Sequence, residues 1–324
     1  MNDKPRAIVI IGDSFSNGDG VFYPVECAKR LGEDWVKDTD KLLHRRAMSK
    51  FGVTPVMTDA HEQSVTDRFN QWLQYHVVGD YSSKQYVESH HCWSKVLERY
   101  SGMPVVNLAL PGGSTKSMTE NLLVWCKKNE FFVRNHNISV MCNYGLRTRI
   151  SVTSDVVLDP DNGYTPLKSP DPFQYSNTTL HYNPGANYDF DVSGYLVHCD
   201  LLEAYKFELC HSLVLTQTIC DSLGMSFCWS GPHDLESEHG VSHVDRIKQF
   251  NFLDLPLPTD RCLENIHPAF SDIAKYTLWC ARDQIAQHNF NPYSICSHYN
   301  QQAQNIMAQE LNTLINENSE WFWN

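Results

Sequence analysis

The sequence predicts an α/β protein organised around a parallel sheet, and three observations lead there. Short apolar runs rich in β-branched residues recur along the chain, each ends in glycine or polar residues, and segments with helical periodicity lie between them. A strand covered on both faces has no reason to alternate apolar with polar residues, so continuous runs point to buried parallel strands. Strands alternating with helices then imply a parallel sheet with right-handed crossovers.

The elements follow in order. Ala7-Ile8-Val9-Ile10-Ile11, closed by Gly12, is the first strand. A helical pattern from Ser94 to Tyr100 follows Trp93, and Val105-Val106-Asn107-Leu108-Ala109 is the second strand. Thr115 to Phe131 carries Met118, Leu122, Leu123, Val124 and Trp125 as a helix, before a third strand at Ile138-Ser139-Val140-Met141-Cys142. From about Leu201 to Leu223, the residues Leu202, Tyr205, Leu209, Leu213, Thr216 and Cys220 form one stripe at helical spacing. Met225-Ser226-Phe227-Cys228-Trp229 is the fourth strand. After His267, the positions Ile273, Ala274, Thr277, Leu278, Ala281 and Ile285 fall on one side of a further helix.

Two stretches break the rhythm. Residues from about 21 to 67 are charged and irregular, and those from about 151 to 195 are rich in Pro, Gly, Asn and Asp. Both read as insertions, the second built from turns with room for a hairpin. Residues 1–290 are thus expected to form one domain carrying these insertions, and residues 291–324 a C-terminal helical tail. In that tail Gln301 to Ile315 reads as one polar helix, and Trp321-Phe322-Trp323 suggests docking onto the body, self-association or another partner.

Composition narrows the function. The 324 residues are 42% hydrophobic and 20% charged, values ordinary for a globular enzyme. A net charge of -12 argues against a nucleic-acid binder and against an anionic membrane surface. No apolar run reaches the roughly 20 residues that span a bilayer. The N-terminus passes from Arg6 into the first strand with no space for a signal peptide, so synthesis in a cytosol is expected. The eleven cysteines include no CxxC pair and read as reduced core thiols.

The chemistry concentrates at two places. Gly12-Asp13-Ser14-Phe15-Ser16-Asn17-Gly18 follows the first strand, and groups at the C-terminal ends of parallel strands face a crevice. By itself this segment fits a nucleophilic serine and equally a turn in which Asp13 and Ser14 cap a helix. Near the other end, Glu264-Asn265-Ile266-His267-Pro268 leaves His267 on the loop leading into a helix that starts at the proline. A serine needs a base, and the base needs a partner on its other ring nitrogen. Glu264 is three residues before His267 and within reach of its Nδ1 in a tight turn, although an isolated loop histidine near an acid is common.

Together these segments resemble the SGNH (GDSL-like) hydrolase family, in order along most of the chain. Gly12-Asp13-Ser14-Phe15-Ser16 is similar to its first block, with phenylalanine in place of the name-giving leucine. Asn107-Leu108-Ala109-Leu110-Pro111-Gly112-Gly113-Ser114 is similar to the second, whose glycine lends an oxyanion-hole N–H, a role that would fall to Gly112. Met141-Cys142-Asn143-Tyr144 keeps the asparagine of the third block but not its glycine or aspartate, so Asn143 is the candidate second donor; it also fits a strand-end residue starting a turn. Glu264 to Pro268 is similar to the last block, with glutamate where aspartate is usual, which leaves Asp260 as the other candidate acid.

The resemblance implies a flavodoxin-like parallel sheet sandwiched by helices and a serine esterase that acts through an acyl-Ser14, with no metal and no organic cofactor. The substrate it implies is a small acyl ester or an acetylated saccharide. Trp93, the segment from Asn107 to Ser114 and the missing signal peptide together resemble phage-encoded members, hence a virion component. The altered third block keeps open a catalytically idle fold used for binding or virion assembly.

Other sites are weaker. His233, His239 and His243 match no tight zinc spacing. His90-His91 reads as surface. Asp159-Pro160-Asp161-Asn162-Gly163 is similar in composition to a calcium loop, but its ligands are out of register and no glutamate closes it. No Walker A or GxGxxG sequence is present.

Overall fold

A computed structural model describes residues 4–18, 91–109, 113–144, 150–153, 179–182, 201–231, 242–251, 253–267 and 301–323. The chain divides into two compact units, one of Met1–Asp13, Asn107–Asp272 and Glu320–Asn324, the other of Ser14–Val106 and Ile273–Ser319. The expected insertion at about 21–67 and the helix expected after His267 lie outside the described residues.

The central element is an all-parallel sheet. Its strands are β1 (Arg6–Ile11), β2 (Val105–Asn107), β3 (Asn137–Asn143) and β6 (Ser226–Ser230), in the order β2-β1-β3-β6. The apolar runs explain the arrangement. Ala7 to Ile11 are all essentially inaccessible to solvent, as are Ile138, Val140, Met141 and Cys142, so both faces of these strands are covered. Fully burying such an aliphatic side chain stabilises by about 1.5–3 kcal/mol. Register is even at the C-terminal edge, where Ile11 lies opposite Cys142 and Asn143 opposite Ser230.

Helices supply the cover. In the first unit, α3 (Thr115–Lys128) starts at Ser114, whose hydroxyl caps the Ser117 N–H at 3.3 Å. It packs on α5 (Leu201–Leu223), to which Thr115 Oγ1 donates through Glu208 at 2.8 Å, while Thr119 and Thr216 hydroxyls bond at 2.9 Å. The helix expected to reach Phe131 breaks at Asn129, where φ is -113° and ψ 35°, and α4 (Glu130–Asn135) follows. The break is stabilised locally, because Asn129 Nδ2 donates to the Trp125 carbonyl at 2.9 Å. Within the loop-rich stretch, β4 (Ile150–Thr153) and β5 (Thr179–Tyr182) form an antiparallel pair, Ile150 opposite Tyr182. Helix α6 (His243–Phe250) is capped by the Ser242 hydroxyl, which accepts from Asp245 N at 3.0 Å.

In the second unit, α1 (Ser14–Asn17) is a single turn, and α2 (Trp93–Ser101) packs against α7 (Gln301–Glu317). The helix that reads as polar is not a surface helix. Ala303, Gln304, Met307, Ala308, Leu311, Leu314 and Ile315 are buried, a stripe at helical spacing built partly from small and amide residues.

The aromatic end also docks on its own chain, within the first unit. Phe322 and Trp323 of α8 (Ser319–Trp323) are buried. The Arg6 guanidinium lies 5.4 Å from the centre of the Trp323 ring, and Asn137 Nδ2 donates to the Trp323 carbonyl at 3.4 Å. Arg261 covers the Trp321 ring at 4.4 Å and donates to the Trp321 carbonyl at 2.8 Å. Among the described residues no helix is long and apolar enough to cross a membrane.

All seven described cysteines, Cys92, Cys126, Cys142, Cys210, Cys220, Cys228 and Cys262, are buried free thiols. Burial pushes the Cys228 and Cys262 thiols up to about 12, against about 8.5 in an unfolded chain. A raised acid keeps its proton in the native state after the unfolded chain has lost it, so its stabilisation is complete below about pH 8.5 and is lost as pH rises toward 12. Moving from about pH 8 to about pH 10 is therefore expected to cost about 2–4 kcal/mol for this pair. Urea midpoints measured at both pH values under reducing conditions check this, and equal midpoints would mean that the thiols ionise while folded.

Candidate active site

Several of the candidate residues lie at or just past the C-terminal ends of the parallel strands. β1 delivers Gly12 and Asp13 there, both buried, with Asp13 at 0% exposure. Ser14 follows Asp13 directly and opens α1; its backbone is described and its side chain is not. Gly112 lies outside the described residues. The flanks of its segment are fixed. Leu108 N donates to the Ile10 carbonyl at 2.8 Å, Asn107 Oδ1 accepts from Ala109 N at 3.0 Å, and Asn121 Nδ2 donates to the Leu108 carbonyl at 2.7 Å. The segment then runs through buried Gly113 into the α3 cap at Ser114, so it ends at the positive end of a helix.

Asn143 ends β3 and is 1% exposed. Its Oδ1 accepts from the Ser230 hydroxyl at 2.7 Å, across the pair that closes the β3–β6 register. The bond sets the amide orientation, carbonyl oxygen toward Ser230 and Nδ2 turned away from it. The Ser230 hydroxyl on the neighbouring strand is thus one anchor of this asparagine. Tyr144 is a core residue: it is fully buried, its N–H donates to the Ser230 carbonyl at 3.3 Å, and its hydroxyl donates to Thr216 Oγ1 at 3.5 Å. Burial drives the Tyr144 hydroxyl well above the ordinary tyrosine range, so it is a neutral phenol at neutral pH.

His267 is held by what precedes it. Cys262 bridges in parallel to Trp229 of β6, adding a rudimentary strand at that edge. Trp229 is fully buried, and its indole N–H donates to the Pro258 carbonyl at 2.8 Å. Arg261 Nε donates to the Phe227 carbonyl at 2.8 Å, so the same loop is tied to β6 twice. Two 3₁₀ turns, Thr259–Arg261 and Leu263–Asn265, lead to His267, whose N–H donates to the Leu263 carbonyl at 3.1 Å. Glu264 lies within the second of these turns, and His267 lies just past its end, tied back to it through the Leu263 carbonyl. Glu264 and His267 are half-buried, whereas Asp260 is exposed in the earlier turn.

Asn143 thus ends β3, while Glu264 and His267 follow the segment on the other side of β6, all within one unit. Ser230 and Arg261 are contributors the sequence reading passes over. A serine closing an apolar strand just before Gly231-Pro232 was the available signal for the first; nothing local marks the second. His233 and His239 lie outside the described residues, and only the backbone of His243 is described. Searches for a matching protein-family model, curated protein or solved structure found none.

Proposed function

We propose that the chain is an SGNH-type serine esterase that hydrolyses a carboxylic ester through an acyl-Ser14, with an O-acetyl group on a carbohydrate as the leading substrate. The observation that carries this reading is the strand order β2-β1-β3-β6 followed by the Cys262 bridge. It has the form of the flavodoxin-like order 2-1-3-4-5, and the four motif segments follow its first, second, third and fifth members. Ser14 comes after β1, Gly112 after β2, Asn143 ends β3, and His267 follows the segment beside β6.

In this mechanism His267 takes the Ser14 proton as the hydroxyl attacks the ester carbonyl. Glu264 holds the imidazole in the required tautomer. The oxyanion is met by the Ser14 and Gly112 N–H groups and by Asn143 Nδ2, each such donor contributing roughly 3–4 kcal/mol to the transition state. Collapse expels the alcohol after His267 protonates it. Water, deprotonated by His267, then cleaves the acyl-enzyme.

Fluorophosphonate labelling followed by peptide mapping tests the reading, because only an activated serine reacts. Modification of Ser14, with acetate released from acetylated sugars, is expected. A folded protein that resists labelling would instead favour the idle, binding or virion-assembly reading, which the near-complete burial of Asn143 and the core role of Tyr144 support.

Asn143 supplies a graded test. Asn143→Ala is expected to lower kcat by roughly 10²–10³ with KM little changed, since the bond strengthens in the transition state. Steady-state kinetics on one ester check this, and an equal loss in kcat and gain in KM would remove Asn143 from the oxyanion hole.

A further inference from the structure

We infer that Gln304, on the C-terminal helix α7, is a positioning residue for the turn that carries the nucleophile, an inference that rests on the esterase reading. One turn of helix cannot hold itself, because nucleation fixes several dihedrals for a single hydrogen bond. α1 is only Ser14–Asn17, so tertiary contacts must fix it.

Within the second unit one such contact falls on Gly18, the residue after the turn. Gly18 has φ +91°, a left-handed conformation that favours glycine, and a Cβ there would collide with the Cβ of Cys92. Its carbonyl accepts from Gln304 Nε2 at 3.1 Å. The other end of the same carboxamide, Oε1, accepts from Trp93 N at 2.9 Å. Gln304 is 1% exposed, so both bonds are shielded from water. One buried amide thereby joins the end of the nucleophile turn to the start of α2. Gln304 thus holds the residue at which the turn ends. A displacement of about 1 Å at a reacting group can cost roughly 10²-fold in rate.

The test compares Gln304→Met, similar in length but without either bond, with Gln304→Glu. A protonated glutamic acid can donate to the Gly18 carbonyl and accept from Trp93 N, while the carboxylate cannot donate. The readout is the fluorophosphonate labelling rate of each variant divided by that of the unmodified protein at the same pH, which cancels the titration of the shared machinery. Circular dichroism is recorded in parallel.

Gln304→Met is expected to label roughly 10- to 100-fold more slowly with kcat reduced in step and KM within about twofold. The Gln304→Glu ratio is expected to be near 1 at about pH 5.5 and to fall toward the methionine value as the carboxyl ionises. Should Gln304→Met fail to fold, Gln304→Glu carries the test alone. A pH-independent ratio near 1, a folded Gln304→Met that labels at the full rate, or labelling lost only in step with ellipticity would each overturn the positioning role. An unmodified protein that does not label at all overturns the esterase reading itself, a separate and visible outcome.

Discussion

Ser14→Ala is expected to lower kcat on the order of 10⁴-fold or more and to leave the fold intact. The size follows from the division of labour in acyl transfer. Removing the nucleophile ends the acyl-enzyme route, and what persists is the small catalysis that oxyanion donors and binding give to direct attack by water. The fold is expected to survive because alanine favours helix and because Asp13, at the N-cap position of α1, is untouched. Burst kinetics with a nitrophenyl ester provide the measurement: the burst should vanish with the slow phase. A folded variant with unchanged turnover would remove Ser14 from the mechanism and leave the strand-end serine as a turn residue.

The sheet was legible in the sequence for the same reason that it is stable. Strands such as Ala7–Ile11 are covered on both faces, so burial writes an uninterrupted apolar run that no amphipathic helix of that length would show. α5 was legible to its ends, Leu201–Leu223, because one stripe persists along it. The α3 break at Asn129 was not, since it depends on a side-chain bond to Trp125 that periodicity does not encode. α7 was read as polar because its buried face includes Gln304, whose two partners lie far away in sequence, at Gly18 and Trp93. Apolar counting treats such a residue as surface.

The candidate site residues divide in the same way. Ser14 and His267 stand in short motifs that a linear reading can find. Their supports do not: Ser230 reaches Asn143 across β3 and β6, and Arg261 ties its loop to the Phe227 and Trp321 carbonyls. A support acts through space, so it carries no local signature.

The choice between Glu264 and Asp260 shows what the backbone adds. The sequence left both open as the acid that orients His267. Asp260 belongs to the first 3₁₀ turn, is exposed, and precedes Arg261, whose guanidinium is committed to two carbonyls and the Trp321 ring. Glu264 belongs to the second turn, is half-buried, and lies three residues before His267, whose N–H is bonded to the Leu263 carbonyl at the start of that turn. Glu264→Gln is therefore expected to lower kcat by roughly 10³–10⁴, because an amide cannot hold the imidazole in the tautomer that accepts the serine proton or stabilise the imidazolium that follows. Asp260→Asn is expected to change kcat by less than about threefold, as an exposed carboxylate is screened by water. Parallel kinetics on the two variants decide the matter. The reverse ranking would hand the role to Asp260, and equal mild losses would mean that a backbone carbonyl orients His267. A structural artefact is separable, because Asn265 Nδ2 anchors this loop to the Thr259 carbonyl at 2.8 Å independently of either acid. A loss confined to Glu264→Gln, with the thermal midpoint unchanged, is thus the signature of tautomer control rather than of a loosened loop.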